Sequence, residues 1–439
     1  MEGFFEELSW RGFIHSSTRG IEKHVAKNKV TGYIGFDPTA PSLHVGSLLP
    51  IMGLVHLQRF GHTPIAIAGG GTGMIGDPSG KTQERKLLSE KEIEANLEGI
   101  KTQLAQFLDF KAKNNSAKLV NNAEWLDKIS MMDFLRDVGK HFSINEMLAK
   151  DSVKSRIDPA LGGQGMSFTE FSYSLLQSYD YLNLYDRYHC TVQMGGSDQW
   201  GNIVSGIDLI RRCRGVEVHG IVFPLITTSS GVKFGKTESG TVWLDPALTS
   251  PYKFYQFWLN VEDKDVINFL QFFTLLPQSG IEQFHGETIE GALGWLPKTP
   301  EKREAQKKLA EEVTRMVHGE TALAQAVKAS TIFFGGEITP QGGVSEAELL
   351  DIFSDVPSIE VAKDKLSGTG MPLIDLLVIT NVATSKSDAR RAIQGGGIYL
   401  NNVRVADVEK TVTMNETIRG KFVVLRKGTK NYCLVKVQL

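Results

Sequence analysis

Hydrophobic and polar positions change rhythm several times along the chain. Residues 31–247 alternate short apolar runs with longer stretches of helical spacing. Gly32-Tyr33-Ile34-Gly35-Phe36 reads as a short strand ending at Asp37-Pro38, and Pro64-Ile65-Ala66-Ile67-Ala68 as a buried one. Between them Ser42 is expected to cap a helix over residues 43–59 that stops at Gly61 and kinks at Pro50. Strands alternating with helices predict a parallel sheet. After Met166 a helix opens on a capping box, Ser167-Phe168-Thr169-Glu170.

Beyond residue 247 the alternation is lost. Residues 300–328 combine helix formers, mixed charge and apolar positions at helical spacing, so 248–335 reads as a helical domain. Residues 336–370, with Pro340 and Gly342-Gly343, read as a linker holding a short helix. In 371–439, Ser385 caps a helix carrying Arg390 and Arg391, Gly395-Gly396-Gly397 ends it, and 399–405 reads as a hairpin about Asn401-Asn402. The expected organisation is therefore a domain over 1–247, a helical domain over 248–335, a linker over 336–370 and a small α+β module over 371–439. A length of 439 residues agrees, being too long for one core.

Charge sharpens this division. The chain carries −2 overall. The last 69 residues hold eleven Lys or Arg against five Asp or Glu, +6, which leaves about −8 for the rest. A basic module on a mildly acidic chain suggests contact with RNA, or else a solvated surface. Cys190, Cys213 and Cys433 fit no zinc spacing and are expected as idle thiols in a reducing compartment. Glu2, Glu6 and Glu7 argue against a leader peptide, and no stretch is long enough to span a membrane. A cytoplasmic protein is the expectation.

Two glycine patterns look like nucleotide motifs and fail on inspection. Gly71-Thr72-Gly73-Met74-Ile75-Gly76 has the dinucleotide spacing, yet Asp77-Pro78-Ser79-Gly80 follows where a helix must open. Gly76 and Gly80 are one residue too close for a phosphate-binding P-loop ending in Lys81-Thr82. Lys81 and Arg85, a helical turn apart, suit phosphate or are plain surface charges.

Three further pieces carry chemistry. His44-Val45-Gly46-Ser47 lies in the first turn of a helix, where anions bind and where Gly46 lets a flat base approach. Lys233-Phe234-Gly235-Lys236-Thr237 sets two lysines about a glycine, able to close over a triphosphate. On the helix after Met166, Tyr173, Gln177 and Asp180 fall on one face of an otherwise apolar helix; they either need partners or face solvent. Gln193-Met194-Gly195-Gly196-Ser197-Asp198-Gln199-Trp200-Gly201-Asn202 packs glycines, a carboxylate and amides into one turn suited to a ribose or an amino-acid headgroup.

Taken together these pieces resemble a known family. His44–Ser47 is similar to the HIGH signature of class I aminoacyl-tRNA synthetases, with Ser47 in place of its second histidine, and Lys233–Thr237 to their KMSKS loop. Residues 33–39, 76–81 and 195–202 resemble the bacterial type of tyrosyl-tRNA synthetase, and the tail an S4-type RNA-binding domain. The resemblance covers nearly the whole chain and is weakest over 336–368. It implies an α/β fold with a Rossmann-like nucleotide-binding catalytic domain. It implies L-tyrosine, ATP with Mg²⁺ and tRNA(Tyr) as substrates, no tightly bound cofactor or resident metal, a homodimer and no membrane. It further implies Tyr33 and Asp180 on the substrate phenol, and Asp77, Tyr173 and Gln177 on its amino group. Gln199 belongs near the carboxylate, and Asp37 near the amino end or ATP. Gly46, Ser47, Gly196, Asp198 and Lys236 are implied at ATP. His44, Thr39, Lys233, Lys236, Thr237, Lys81 and Arg85 are implied at its phosphates.

Overall fold

A computed structural model describes the chain apart from residues 1–2, 80–87, 159–164, 228–233, 238–239, 289–294, 337, 339–343, 355, 429–430 and 439, with the backbone alone at 90, 151, 236 and 237. It divides into two compact units. The first comprises residues 1–249 and 258–317, the second 250–257 and 318–439.

The first unit is built on a six-stranded sheet. Its strands are β1 (Ser16–Ser17), β2 (Thr31–Phe36), β3 (Thr63–Ala68), β4 (Lys118–Asn121), β5 (Cys190–Gly196) and β6 (His219–Phe223), in the spatial order β1-β6-β5-β2-β3-β4. From β6 to β4 every neighbouring pair is parallel; the edge strand β1 runs antiparallel to β6. The parallel sheet read from the alternation of elements is thus present. The chain winds outward from β2 through β3 to β4, then returns to the other side through β5 to β6. The order reverses between β2 and β5, and it is outside the carboxyl ends of strands at such a point that open α/β sheets bind ligands.

Helices cover both faces of the sheet, as the period of two along β2 requires. On one face lies α1 (Leu48–Arg59), against which Gly32 is packed: a Cβ there would stand 2.9 Å from Leu57 Cδ2. Gly53 of α1 leaves room for the Phe223 ring, 2.5 Å from where its Cβ would be. On the other face are α2 (Phe168–Tyr188) and α3 (Trp200–Arg214), whose Tyr181, Leu182, Leu184, Leu209 and Ile210 share one apolar core with Tyr33, Ile65 and Ile67.

The start of α1 differs from the sequence reading. Ser42 does not cap it; its hydroxyl donates to the Leu43 carbonyl and accepts from Gln103 Nε2. The chain instead makes a single tight turn over Val45–Ser47, with His44 as its cap, and α1 begins at Leu48. Pro50 therefore falls in the first turn, where a missing N–H costs nothing and no kink is needed. The capping box of α2 is present, Glu170 N donating to Ser167 Oγ at 3.2 Å.

The second unit carries a five-stranded sheet formed by β7 (Ser358–Ala362), β8 (Ile398–Leu400), β9 (Val403–Val405), β10 (Phe422–Lys427) and β11 (Asn431–Gln438), in the order β7-β11-β10-β8-β9. The hairpin β8–β9 turns through Asn401 and Asn402, both in the left-handed region. Residues 336–370, expected as a linker, do more than connect. Glu346–Ile352 forms the short helix, and β7 pairs in parallel with the last strand. Apolar spacing concealed this, because β7 exposes most of its five residues. Nor is 248–335 one uniform helical body: the helix Glu304–Phe333 breaks at Gly319, with φ 83° and ψ 172°, close to where the two units divide.

Candidate active site

A cavity of about 180 Å³ opens at the switch point between β2 and β5. Of the implied site residues, Tyr33, Asp37, Asp77, Tyr173, Gln177, Asp180, Gly196 and Gln199 all line it. They come from four places. Tyr33 and Asp37 lie on and just beyond β2, Asp77 in the turn after β3, the stripe Tyr173–Gln177–Asp180 on α2, and Gly196 and Gln199 at the end of β5.

At its inner end the cavity is closed by Tyr33 and Asp180. Tyr33 is 1 % exposed, stacks edge-on against Tyr181, and its hydroxyl has no hydrogen-bond partner among the described residues. Asp180 accepts from Trp125 Nε1 at 2.7 Å and from Asn122 Nδ2 at 3.0 Å. Burial nevertheless dominates and pushes its carboxyl up to about 7, against those two hydrogen bonds and with a smaller contribution from Asp37. Burial likewise raises the Tyr33 and Tyr173 phenols, so both stay protonated donors.

The outer part holds an ordered set of acceptors. Asp37 accepts from Tyr173 Oη and from Thr72 Oγ1, each at 3.1 Å. Gly69 makes this possible, since its Cβ would lie 2.2 Å from Asp37 Oδ1. Asp77 accepts from Gln199 Nε2 at 2.6 Å and from the Ser79 N–H at 3.0 Å, the latter an Asx turn of the kind that Asp-Pro-Ser favours. Asn202 Nδ2 donates to Gln177 Oε1 at 3.0 Å. Two carboxylates, a phenol and amides around one opening suit an ammonium group.

The glycine run that imitated a dinucleotide motif forms one short turn, Thr72–Met74, and no helix opens on it. Of the side chains that hold this set, Thr72 and Asn202 fall within motifs read from the sequence, whereas Asn122 and Trp125 belong to none. Asn122 and Trp125 follow the carboxyl end of β4, and that position was their only signal.

A second feature stands beside the turn before α1. His44 Nδ1 accepts from the Gly46 N–H at 3.0 Å, so the neutral ring carries its proton on Nε2. Gly235 has φ 85°, and a Cβ there would stand 2.8 Å from Val45 Cγ2 and 3.4 Å from the Gly46 nitrogen. Val45 N donates to the Val242 carbonyl, and Phe234 is seated among Trp258, Phe269 and Phe273. The His-x-Gly turn and the Phe-Gly-Lys turn, far apart in sequence, are thereby packed together. Thr39 and Asp198 do not line the cavity; Thr39 N donates to the Asp37 carbonyl, and Asp198 lies beside Gly196. Lys81, Arg85 and Lys233 lie outside the described residues. Lys236 and Thr237 are described by their backbone, paired with Gly240–Thr241.

A parallel sheet with a ligand cleft at its switch point, and a glycine turn packed on a His-x-Gly helix start, define a class I tRNA synthetase. Residues 26–335 match the family of tRNA synthetases class I (W and Y), and residues 348–435 the tyrosine–tRNA ligase SYY-like C-terminal domain. The chain is 56% identical over 437 residues to the tyrosine–tRNA ligase of Roseiflexus castenholzii, each chain covered in full. It is 48% identical to that of Bacillus caldotenax, with 98% of each covered. A C-terminally truncated mitochondrial tyrosyl-tRNA synthetase of Aspergillus nidulans superposes with a TM-score of 0.65 at 31% identity, over 74% of this chain and 92% of that one. The chain belongs to the tyrosine–tRNA ligases.

Proposed function

We infer that the chain activates L-tyrosine with ATP and then transfers it to the 3′ end of tRNA(Tyr). The observation that carries the choice of amino acid is the closed end of the cavity. A buried, unpartnered Tyr33 hydroxyl beside Asp180 is stabilised by a ligand that brings both a donor and an acceptor, as a phenol does.

In the first step the tyrosine carboxylate attacks the α-phosphorus of ATP. A carbon-bound oxygen gains a bond to phosphorus as the bond to pyrophosphate breaks. The carboxylate is already ionised at neutral pH, so no general base is required. The residues therefore act by positioning and by stabilising charge. Tyr33 and Asp180 take the phenol; Asp77, Tyr173 and Gln177 take the ammonium; Gln199 serves the carboxylate and Asp37 the amino end or ATP. Gly46 receives the flat adenine, Ser47 hydrogen-bonds the nucleotide, and Gly196 and Asp198 hold its ribose. His44 and Thr39 bind the departing phosphates. Lys233, Lys236 and Thr237 close over them, assisted by Lys81 and Arg85. ATP would be taken with Mg²⁺, which would offset part of the phosphate charge. In the second step a terminal ribose hydroxyl attacks the tyrosyl carbonyl and AMP leaves.

Residues 248–335 meet the anticodon arm and 371–439 bind RNA, a role supported by the positive charge of the tail. The protein works in the cytoplasm as a homodimer. Exposed apolar side chains support the dimer: Met131 and Met132 are more than 70% exposed, with Leu135 and Ile144 also exposed in the residues that follow. Among the described residues no helix is long and apolar enough to cross a membrane. Exchange of pyrophosphate into ATP, measured with each amino acid in turn, tests the reading. Tyrosine alone is expected to drive it; exchange driven by tryptophan would overturn it.

A further inference from the structure

One buried amide away from the cavity touches the turn that carries His44. Helix Glu90–Phe107 buries Ile93, Leu97, Ile100 and Leu104, and with them the polar side chain of Gln103. Gln103 does not line the cavity. Its Oε1 accepts from the Leu43 N–H at 2.8 Å, and its Nε2 donates to Ser42 Oγ at 2.7 Å. A backbone N–H can only donate, so the orientation of the amide is fixed. Asn96, Gly99 and Gln103 fall at i, i+3 and i+7, on one face of the helix. Asn96 Nδ2 donates to the Pro38 carbonyl at 2.9 Å, and a Cβ at Gly99 would collide with the Pro41 carbonyl oxygen. The helix therefore lies directly on residues 38–43, and Gly99 is what lets Gln103 reach them.

The Ser42 hydroxyl has one donor and two acceptor positions, and all are used. It donates to the Leu43 carbonyl at 2.7 Å and accepts from Gln103 Nε2 and, at 3.2 Å, from the Asp245 N–H. The Leu43 carbonyl also accepts from the Leu244 N–H at 2.9 Å. The Val45 N–H donates to the Val242 carbonyl at 3.0 Å, and His44, between the two, is bridged to Trp243. The Val242 N–H in turn donates to the Gly235 carbonyl at 3.1 Å. Gln103 thus holds the peptide just before His44 and, by way of Ser42, the segment that holds Gly235. An apolar residue of the same length would fill the space but leave the buried Leu43 N–H without this acceptor.

We propose that Gln103, with Ser42 as its relay, is a positioning residue for adenylate formation that acts through His44. It does so without touching the substrate. Its hydrogen bond fixes the Leu43 peptide, and so the place of the His44 ring, whose Nδ1 is already committed to the Gly46 N–H. This rests on the assignment of His44 to the departing phosphates. Contacts of that kind count in the transition state, so a small displacement lowers the rate and leaves tyrosine binding intact.

Gln103→Met, unbranched and of similar length, and His44→Ala are made singly and together. The single-turnover rate of tyrosyl-adenylate formation and the tyrosine Kd are measured for each. Gln103→Met is expected to lower the rate roughly tenfold, with Kd within about twofold of the parent. In the His44→Ala background the same substitution is expected to cost less than about threefold, because its route is already cut. An equal loss in both backgrounds, or a Kd that rises in step with the loss of rate, overturns the proposal. A parental rate in Gln103→Met beside a slow His44→Ala also overturns it and keeps the assignment of His44. Parental rates in both overturn the two together. If Gln103→Met does not fold, Ser42→Ala decides, since it keeps the Leu43 N–H paired and cuts the relay to Asp245. A rate lowered by roughly threefold there, and not lowered further in the His44→Ala background, supports the proposal; a parental rate overturns it.

Discussion

At the scale of residues, the cavity holds polar groups that are buried without a hydrogen-bond partner among the described residues. Tyr33 shows this directly. Its hydroxyl is buried without a partner, so Tyr33→Phe is expected to leave the ligand-free protein as stable or up to about 1 kcal/mol more stable. The same change is expected to lower kcat/KM for tyrosine roughly tenfold and leave phenylalanine activation near its parent value. Chemical denaturation together with exchange kinetics checks both halves; equal losses for the two amino acids would refute it. Asp180 adds a pH dependence. Its folded-state pKa of about 7 lies above the unfolded carboxyl value of about 3.9. Between those values the folded protein holds a proton that the unfolded chain lacks. Stability is then lost as pH rises through the window, at on the order of 1 kcal/mol per unit, and levels off above it. Asp180→Asn removes this slope. The unfolding free energy of the parent minus that of Asp180→Asn should fall from about pH 5 to 7. A flat difference would show that Asp180 is ionised throughout.

Elements explain why some of this was legible in the sequence and some was not. The stripe Tyr173–Gln177–Asp180 could be read because one helix displays it at i, i+4 and i+7, and the whole stripe lines the cavity. The strands β2 and β3 could be read because short apolar runs ended at Asp-Pro and at glycine. Asn122 and Trp125 could not, because their meaning depends on β4 lying two strands from β2, and spatial order is not written in local spacing. The start of α1 misled for a related reason. Ser42 has the chemistry of a cap, but Gln103 and Leu43 compete for its hydroxyl, and His44 takes the position. The contact between the two signature turns is also a property of elements. Gly235 is in the left-handed region and within van der Waals reach of Val45, so Gly235→Ala strains the backbone and pushes the two turns apart. The rate of tyrosyl-adenylate formation in single turnovers is expected to fall by at least roughly tenfold, with tyrosine Kd within about twofold of the parent. A Kd that rises in step with the loss of rate would instead assign the contact to ground-state binding.

On the scale of the whole molecule, charge and composition located a distinct basic module but mistook what joins it. A strand from the supposed linker is part of its sheet, and its core extends further toward the N-terminus than 371. Ala329 and Ile332, in the helix after the break at Gly319, share an apolar cluster with Phe422, Val424 and Leu434. The hairpin tip fastens the same helix: Asn402 Nδ2 donates to the Ile332 carbonyl at 2.7 Å and to the Gly336 carbonyl at 3.0 Å, satisfying groups that a helix C-terminus leaves unpaired. Deleting 371–439 would strip β7 of its partner and uncover that cluster, so loss of tRNA charging in such a deletion would not separate RNA contact from unfolding. Asn402 gives a cleaner test, because the substitution leaves every strand in place. Asn402→Gly keeps the left-handed backbone, φ 66°, and removes only the side-chain hydrogen bonds. It is expected to destabilise the second unit by roughly 1–3 kcal/mol, with Asn402→Ala worse by the added backbone strain. Hydrogen exchange should speed up in Glu304–Phe333 after Gly319 and in β8–β10 but not in β2, β3 or β5. Pyrophosphate exchange should stay at the parental rate while tRNA charging falls, since the residues proposed for activation all belong to the first unit. A parallel fall in both reactions would mean that the second unit supports the activation site, and the division of labour between the two units would have to be given up.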